Sequence, residues 1–286
     1  MLIKIGNFEF TSVWDGVFYK KLSQYPAISD WEKRNIIEFV EYEASHGRDC
    51  EIECEDTDIL AEVSNALQNR DAYRGIPRPV LITECTACPV RKGCVTDFVC
   101  HTTSAENAVK ILNGGSLLSA IKARRVPVEE LMAEARNAAH DPADYFEYIM
   151  LSWGNCQAGD RLVMERKLER FPDETDLSVH FTPGVRFYFR YDDLATHPDR
   201  VFDGVLPMKI KDEIILKDWL YAMVVPEALR EIIKPVIPVK LQNRVVYVEN
   251  DCRDIWAWSE KVYQVIEKRA NDGLHKESGT VDRRSL

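Results

Sequence analysis

The chain has 286 residues, 37 Lys and Arg against 47 Asp and Glu for a net charge of −10, and eight cysteines. Its 45% hydrophobic and 10% aromatic content is enough for a sizeable core in one large domain or two small ones, which excludes disorder for the bulk of the chain. No stretch approaches the ~18 uninterrupted apolar residues of a membrane helix, and the opening MLIKIGNFEF lacks a signal-peptide core, so a cytoplasmic protein with no membrane partner is expected.

Residues 1–25 read as a short hairpin, with Ile3, Ile5, Phe8 and Phe10 in one run and Val13 and Val17–Tyr19 beyond a turn at Asp15-Gly16. A helix follows. Ser29-Asp30-Trp31-Glu32 is a capping box, and Trp31, Ile36, Phe39, Val40 and Tyr42 supply the apolar face. Next come a short strand near 50–54 and a helix over 57–68 capped by Asp56 or Thr57, which makes residues 1–80 a small α+β module.

Arg78–Thr83 reads as a strand that leads into a cysteine-bearing linker, 81–96. Cys85-Thr86-Ala87-Cys88 is a CxxC pair, followed by Cys94. Two residues between thiolates let both sulfurs turn toward one ion, and a structural zinc site needs four such ligands. An iron–sulfur cluster uses the same donors. The fourth ligand is open among Cys100, Cys54, Cys50 and His101, with Cys100 carried forward beside Cys85, Cys88 and Cys94. Reduced cysteines packed along a turn are the alternative.

Phe98–His101 is a second short strand, and Ser104 caps a helix that Gly114-Gly115 stops. Residues 127–170 read as helical, with breaks at Asp141-Pro142 and over 154–159. Strands are then expected at Leu177–Thr182, Val185–Tyr191, Val205–Ile210, Ala222–Val225 and Val245–Val248. A helix over 253–269 closes the chain, and 271–286 is a polar tail expected to be disordered. No P-loop, dinucleotide-binding glycine signature, GxSxG or HExxH is present.

Val99-Cys100-His101-Thr102-Thr103, then Asn107, Ile111-Leu112, Gly115 and Leu117-Leu118-Ser119, form the most informative stretch. A histidine closing a strand ahead of a capped helix and a Gly-Leu-Leu-Ser turn resembles the opening of the ADP-ribosyltransferase superfamily. The resemblance continues, nearest to its DNA-modifying DarT-like branch, through Ile121–Arg125, Val185–Arg190 and Ala222–Pro226, so that discontinuous pieces cover about 98–238. It implies an α+β fold with an ADP-ribosyltransferase-like split antiparallel sheet over 97–270. It also implies NAD as substrate and a nucleic-acid acceptor held by a local basic patch.

By the same resemblance, His101 and Thr102 would contact the nicotinamide riboside. Asn107 would belong to the cofactor-binding side, and Tyr188 would line the nicotinamide pocket. Arg124 or Arg125 would meet phosphate or position the acceptor. The sequence departs from the family where its catalytic glutamate is expected, four residues before Pro226: Ala222 stands there. Glu213, Asp218 or Glu227 would substitute on a shifted alignment, and Glu213 is carried forward as the catalytic carboxylate. The rival reading is a non-enzymatic metal-binding or interaction protein that keeps the fold.

Overall fold

The computed structural model describes residues 1–79, 95–134, 140–179 and 181–278. The N-terminal unit contains β1 (Leu2–Gly6), β2 (Ser12–Trp14), β3 (Val17–Lys21), α1 (Asp30–Ser45), β4 (Glu51–Cys54) and α2 (Thr57–Gln68). Its sheet order is β2-β3-β1-β4, with β1 parallel to both β3 and β4. The expected hairpin is therefore β2–β3 alone, turning at Asp15-Gly16, and β1 lies on the far side of β3. Parallel pairing suits β1 because Ile3 and Ile5 then join Phe18, Ile36, Phe39, Ile59 and Val63 in one core beneath the two helices.

The α1 capping box forms as expected. Ser29 Oγ accepts from the Glu32 amide at 3.3 Å, and the Glu32 carboxylate accepts from the Ser29 amide at 2.9 Å. Glu32 also accepts from the Ser23 amide at 2.7 Å, which ties the helix start to the preceding turn.

Among the described residues, nine strands follow: β5 (Phe98–Thr103), β6 (Ser116–Leu118), β7 (Tyr148–Trp153), β8 (Val185–Arg190), β9 (Arg200–Val201), β10 (Met208–Lys211), β11 (Glu213–Ile215), β12 (Ala222–Pro226) and β13 (Val245–Val248). Their helices are α3 (Ala105–Gly114), α4 (Ala120–Arg124), α5 (Val128–Met132), α6 (Ala158–Leu168), α7 (Glu174–Leu177), α8 (Tyr191–Leu194), α9 (Leu216–Trp219), α10 (Arg230–Ile233) and α11 (Ile255–Ser278). The protein is α+β with mixed sheets. Seven strands run in the order β13-β12-β8-β5-β7-β10-β9, antiparallel except for β12–β13, and β6–β11 form a separate antiparallel pair. Among the described residues, no helix is long and apolar enough to cross a membrane.

Several elements differ from the sequence-based expectation. Tyr148–Trp153 is a strand inside the stretch read as helical, because Ile149 and Leu151 alternate inward between β5 and β10. Leu177 ends the short helix α7, which Asp173 and Asp176 cap reciprocally, so the strand expected over 177–182 is absent from its described residues. The strand expected over 205–210 begins only at Met208, and α11 runs past Asn271 to Ser278. A polar composition removes the need for burial, yet Lys and Glu remain good helix formers.

Alternation gives the large sheet two dry faces. Val99, Phe187 and Phe189 face α3 with Ala108 and Leu112, whereas Cys100, Tyr188 and Val224 face α6 and α11 with Met164, Trp258 and Val262. The sheet is also nearly divided. β5 pairs with β8 along all of Phe98–Thr103, but it pairs with β7 only at Val99↔Trp153 and Cys100↔Ser152. Beyond those two pairs, β5 and β7 form no further ladder pairs.

Candidate functional site

His101 is the first residue of β5 beyond those two pairs. His101 Nδ1 lies 3.4 Å from the Met150 carbonyl across the gap, a long contact that binds weakly. Burial pushes the imidazole down to about 4, the Met150 carbonyl opposes that shift, and Arg166 adds to it. The ring is therefore neutral at physiological pH. With Nδ1–H turned to the carbonyl, Nε2 is left as an acceptor. Such an acceptor can take a hydrogen bond from a hydroxyl or an amide N–H.

Thr102 points the other way. Its Oγ1 is buried without a hydrogen-bond partner, and Gly159 of α6 packs so closely that a Cβ there would lie 2.5 Å from it. Gly184 approaches the same residue, where a Cβ would meet the Thr103 carbonyl at 2.7 Å. Both glycines thus serve close approach of α6 and the β8 entrance to β5. Asn107 lies in the first turn of α3, where its amide donates to the capping Ser104 Oγ at 3.3 Å.

Tyr188 does not share the His101 crevice. Register pairs Tyr188 with Cys100 and His101 with Phe187, on opposite faces of the sheet. Tyr188 is fully buried, and its hydroxyl donates to the Gly154 carbonyl at 3.0 Å. Its cross-strand neighbour is Ala222, also fully buried. Nothing at that position provides a carboxylate, and the Arg186 guanidinium that donates to the Tyr188 hydroxyl at 3.3 Å is paired with Asp160 instead.

Glu213 lies in the small β6–β11 sheet, whereas Arg124 and Arg125 lie at the end of α4, the helix that follows β6. Glu213 opposes Leu118, and the Ser119 amide just before α4 donates to the Asp212 carbonyl at 2.8 Å. Arg124 pairs with Glu134, and Lys122 pairs with Asp212 at 3.2 Å. Arg125 ends α4 in the left-handed region at φ 56°. The Asp212 amide donates to the Glu147 carbonyl at 2.9 Å, so this cluster flanks the start of β7, the strand whose Met150 meets His101.

No protein-family model, curated protein or solved structure matches the chain. The site therefore rests on its own geometry.

Cys85, Cys88 and Cys94 lie outside the described residues. Cys100 is almost fully buried, with its thiol 3.4 Å from Ser152 Oγ and 3.7 Å from the Trp153 carbonyl, and burial pushes the thiol up. Such a thiol packs as a small apolar residue and resists forming the thiolate that a metal requires. Among the described residues no group of three His, Cys, Asp or Glu side chains could hold a metal ion.

Sequence reasoning missed the centre of the α6–α11 face. Arg186 and Asp160 are fully buried and ion-paired, with Nε to Oδ2 at 2.9 Å. Asp160 also accepts from the Gly184 amide at 2.7 Å, and Arg186 donates to Ser259 Oγ of α11 at 2.6 Å and to the Gly154 carbonyl at 3.3 Å. One guanidinium thus ties β8, α6, α11 and the loop after β7. The signal was an arginine in the interior of a strand whose next three residues are aromatic, which needs a buried counter-charge.

Proposed function

We propose that the protein is an NAD-dependent ADP-ribosyltransferase-like protein that takes the ribose of NAD into the crevice between β5 and β7. The single observation carrying this reading is His101, held neutral just past the last β5–β7 pair, with Nε2 as acceptor for a ribose hydroxyl. The antiparallel β5–β8 pair and the split beside it support the family resemblance of the His-strand, capped-helix and Gly-Leu-Leu-Ser segments. In the transfer, an acceptor nucleophile bonds to C1′ of the ribose. The bond from C1′ to the nicotinamide nitrogen breaks and its electron pair leaves with nicotinamide. The acceptor proton passes to a base.

Glu213 is the carboxylate this reading assigns to that step, and Arg124 or Arg125, at the end of α4, would meet phosphate or position the acceptor. A nucleic-acid acceptor belongs to the same proposal, although Lys122 and Arg124 already pair with acids and offer a reduced field. One observation favours a second reading, of a binding protein without transferase activity: Ala222 sits sealed in the core opposite Tyr188. That version keeps the proposed zinc or iron–sulfur site at Cys85, Cys88 and Cys94.

Calorimetric titration with NAD, compared with His101→Ala, tests the crevice. Binding lost in the variant supports it, and absence of binding to the native chain overturns it. Labelled NAD then separates the two readings. Nicotinamide release or label on DNA, RNA or the chain itself supports transfer, whereas binding without release supports the second reading. Metal analysis of Cys85→Ser against the native protein tests the cysteine segment.

A further inference from the structure

A surface helix ordinarily carries one buried stripe, and α1 carries two. Ile36 and Phe39 lie in the core of the N-terminal unit with Ile3, Ile5 and Phe18. Trp31, Asn35, Glu38 and Tyr42 recur at i, i+4, i+7 and i+11, on an adjacent stripe. That second stripe meets the body formed by the large sheet and its helices. Trp31, Asn35 and Glu38 face the β9–β10 connection, and Tyr42 faces the approach to β7.

At the β9–β10 connection the contact is backbone against backbone. A Cβ on Gly204 would lie 1.8 Å from the Asn35 carbonyl oxygen and 2.9 Å from the Phe39 amide nitrogen. Val205, the next residue, packs against the N-terminal core itself. Charge crosses the same joint. Lys209 of β10 is fully buried, with its ammonium 2.6 Å from the equally buried Asp203. Tyr145 of the body and Tyr42 of α1 both present rings to it, at 3.5 and 4.6 Å. Asp144, just ahead of β7, accepts from the Tyr42 hydroxyl at 2.6 Å and from Arg48 at 2.7 and 3.1 Å. Arg48 also pairs with the fully buried Glu43 of α1. Undocking α1 would take Tyr42 and Arg48 from these groups and open the Gly204 and Val205 packing in the same step.

We infer that the N-terminal unit is an obligate part of the body's fold: α1 is a wall common to both, and the two unfold as one. Domains joined by a loose polar interface move and open separately. This joint is interlocked at the backbone and crossed by buried charge. By linkage, whatever binds either unit stabilises both.

The test is native-state hydrogen exchange of the full chain in rising denaturant, read at the slowest amides of β1 and β8. In the native protein the two strands should converge on one opening free energy. Ile59→Val trims the N-terminal core, and Ile266→Val trims the core between α11 and the large sheet. Each should lower protection in β1 and in β8 by the same factor, roughly 2- to 10-fold. Asp144→Ala, at the joint, should also lower both strands together. A loss confined to the substituted residue's own unit overturns the inference. So does an Asp144→Ala chain with unchanged protection, or a native β1 that opens while β8 stays protected.

Discussion

Arg186 carries a full charge where water does not reach, and that sets how it responds to substitution. Changing Asp160 to Asn keeps the shape but leaves the guanidinium without its counter-ion, while the Ser259 and Gly154 contacts persist. Breaking one side of such a pair costs roughly 3–5 kcal/mol, read as a lower denaturant midpoint in chemical unfolding. Gly159→Ala tests the neighbouring contact, because its new methyl would meet Thr102 at 2.5 Å; overpacking of that kind costs about 1–3 kcal/mol in the same measurement. Single residues were legible in the sequence where the chemistry is local. Ser29, Ser104 and Gly115 announce helix ends within a few positions of their partners, and all three act as read. Arg186 was not legible in this way, since Asp160 lies 26 residues away and Ser259 lies 73 residues away.

At the scale of elements, α1 depends on its first turn. Ser29→Ala should lower stability by about 1 kcal/mol. Glu32→Ala should cost more, because that carboxylate also holds the Ser23 amide. Thermal unfolding of the two variants side by side gives the order, and equal losses would remove the Ser23 tether from the account. Strands β8, β12 and β13 and helices α1 to α3 were readable because each carries a long or bounded apolar pattern. β7 was not. Tyr-Ile-Met-Leu-Ser-Trp is short and apolar at several spacings, so periodicity alone does not separate a strand from a buried helical turn. What decides it is pairing with β10, which begins 60 positions after Tyr148. The segment over 174–177 fails in the opposite direction, where the Asp173–Asp176 box starts a helix that the apolar residues alone do not indicate.

For the molecule as a whole, the charge and pH behaviour follow from these buried groups. His101 has a folded pKa of about 4 against an unfolded 6.5. Between those values the unfolded chain binds the proton more readily, so stability is complete above about pH 6.5 and is lost as pH falls toward 4. The difference corresponds to about 3 kcal/mol at most. Denaturant midpoints at pH 7 and pH 4.5 should therefore differ less in His101→Gln than in the native protein. An identical pH dependence in the two would remove His101 from this role. The overall class was legible as α+β from the mixture of capped helices and short strands, and residues 1–80 read as a small N-terminal module. Its role in the body was not legible, because Tyr42 reaches Asp144 across 102 residues and Gly204 meets Asn35 from still farther along the chain.

The seam at Val99–Cys100 and Ser152–Trp153 has one more consequence. On one side, the Arg186 cluster ties β8 to α6 and α11; on the other, Lys209 of β10 pairs with Asp203 among the rings of Tyr145, Tyr42 and Tyr148. A single apolar core beneath the sheet continues across the seam between them. Opening those two residue pairs alone leaves that core packed, so it requires less free energy than unfolding the chain.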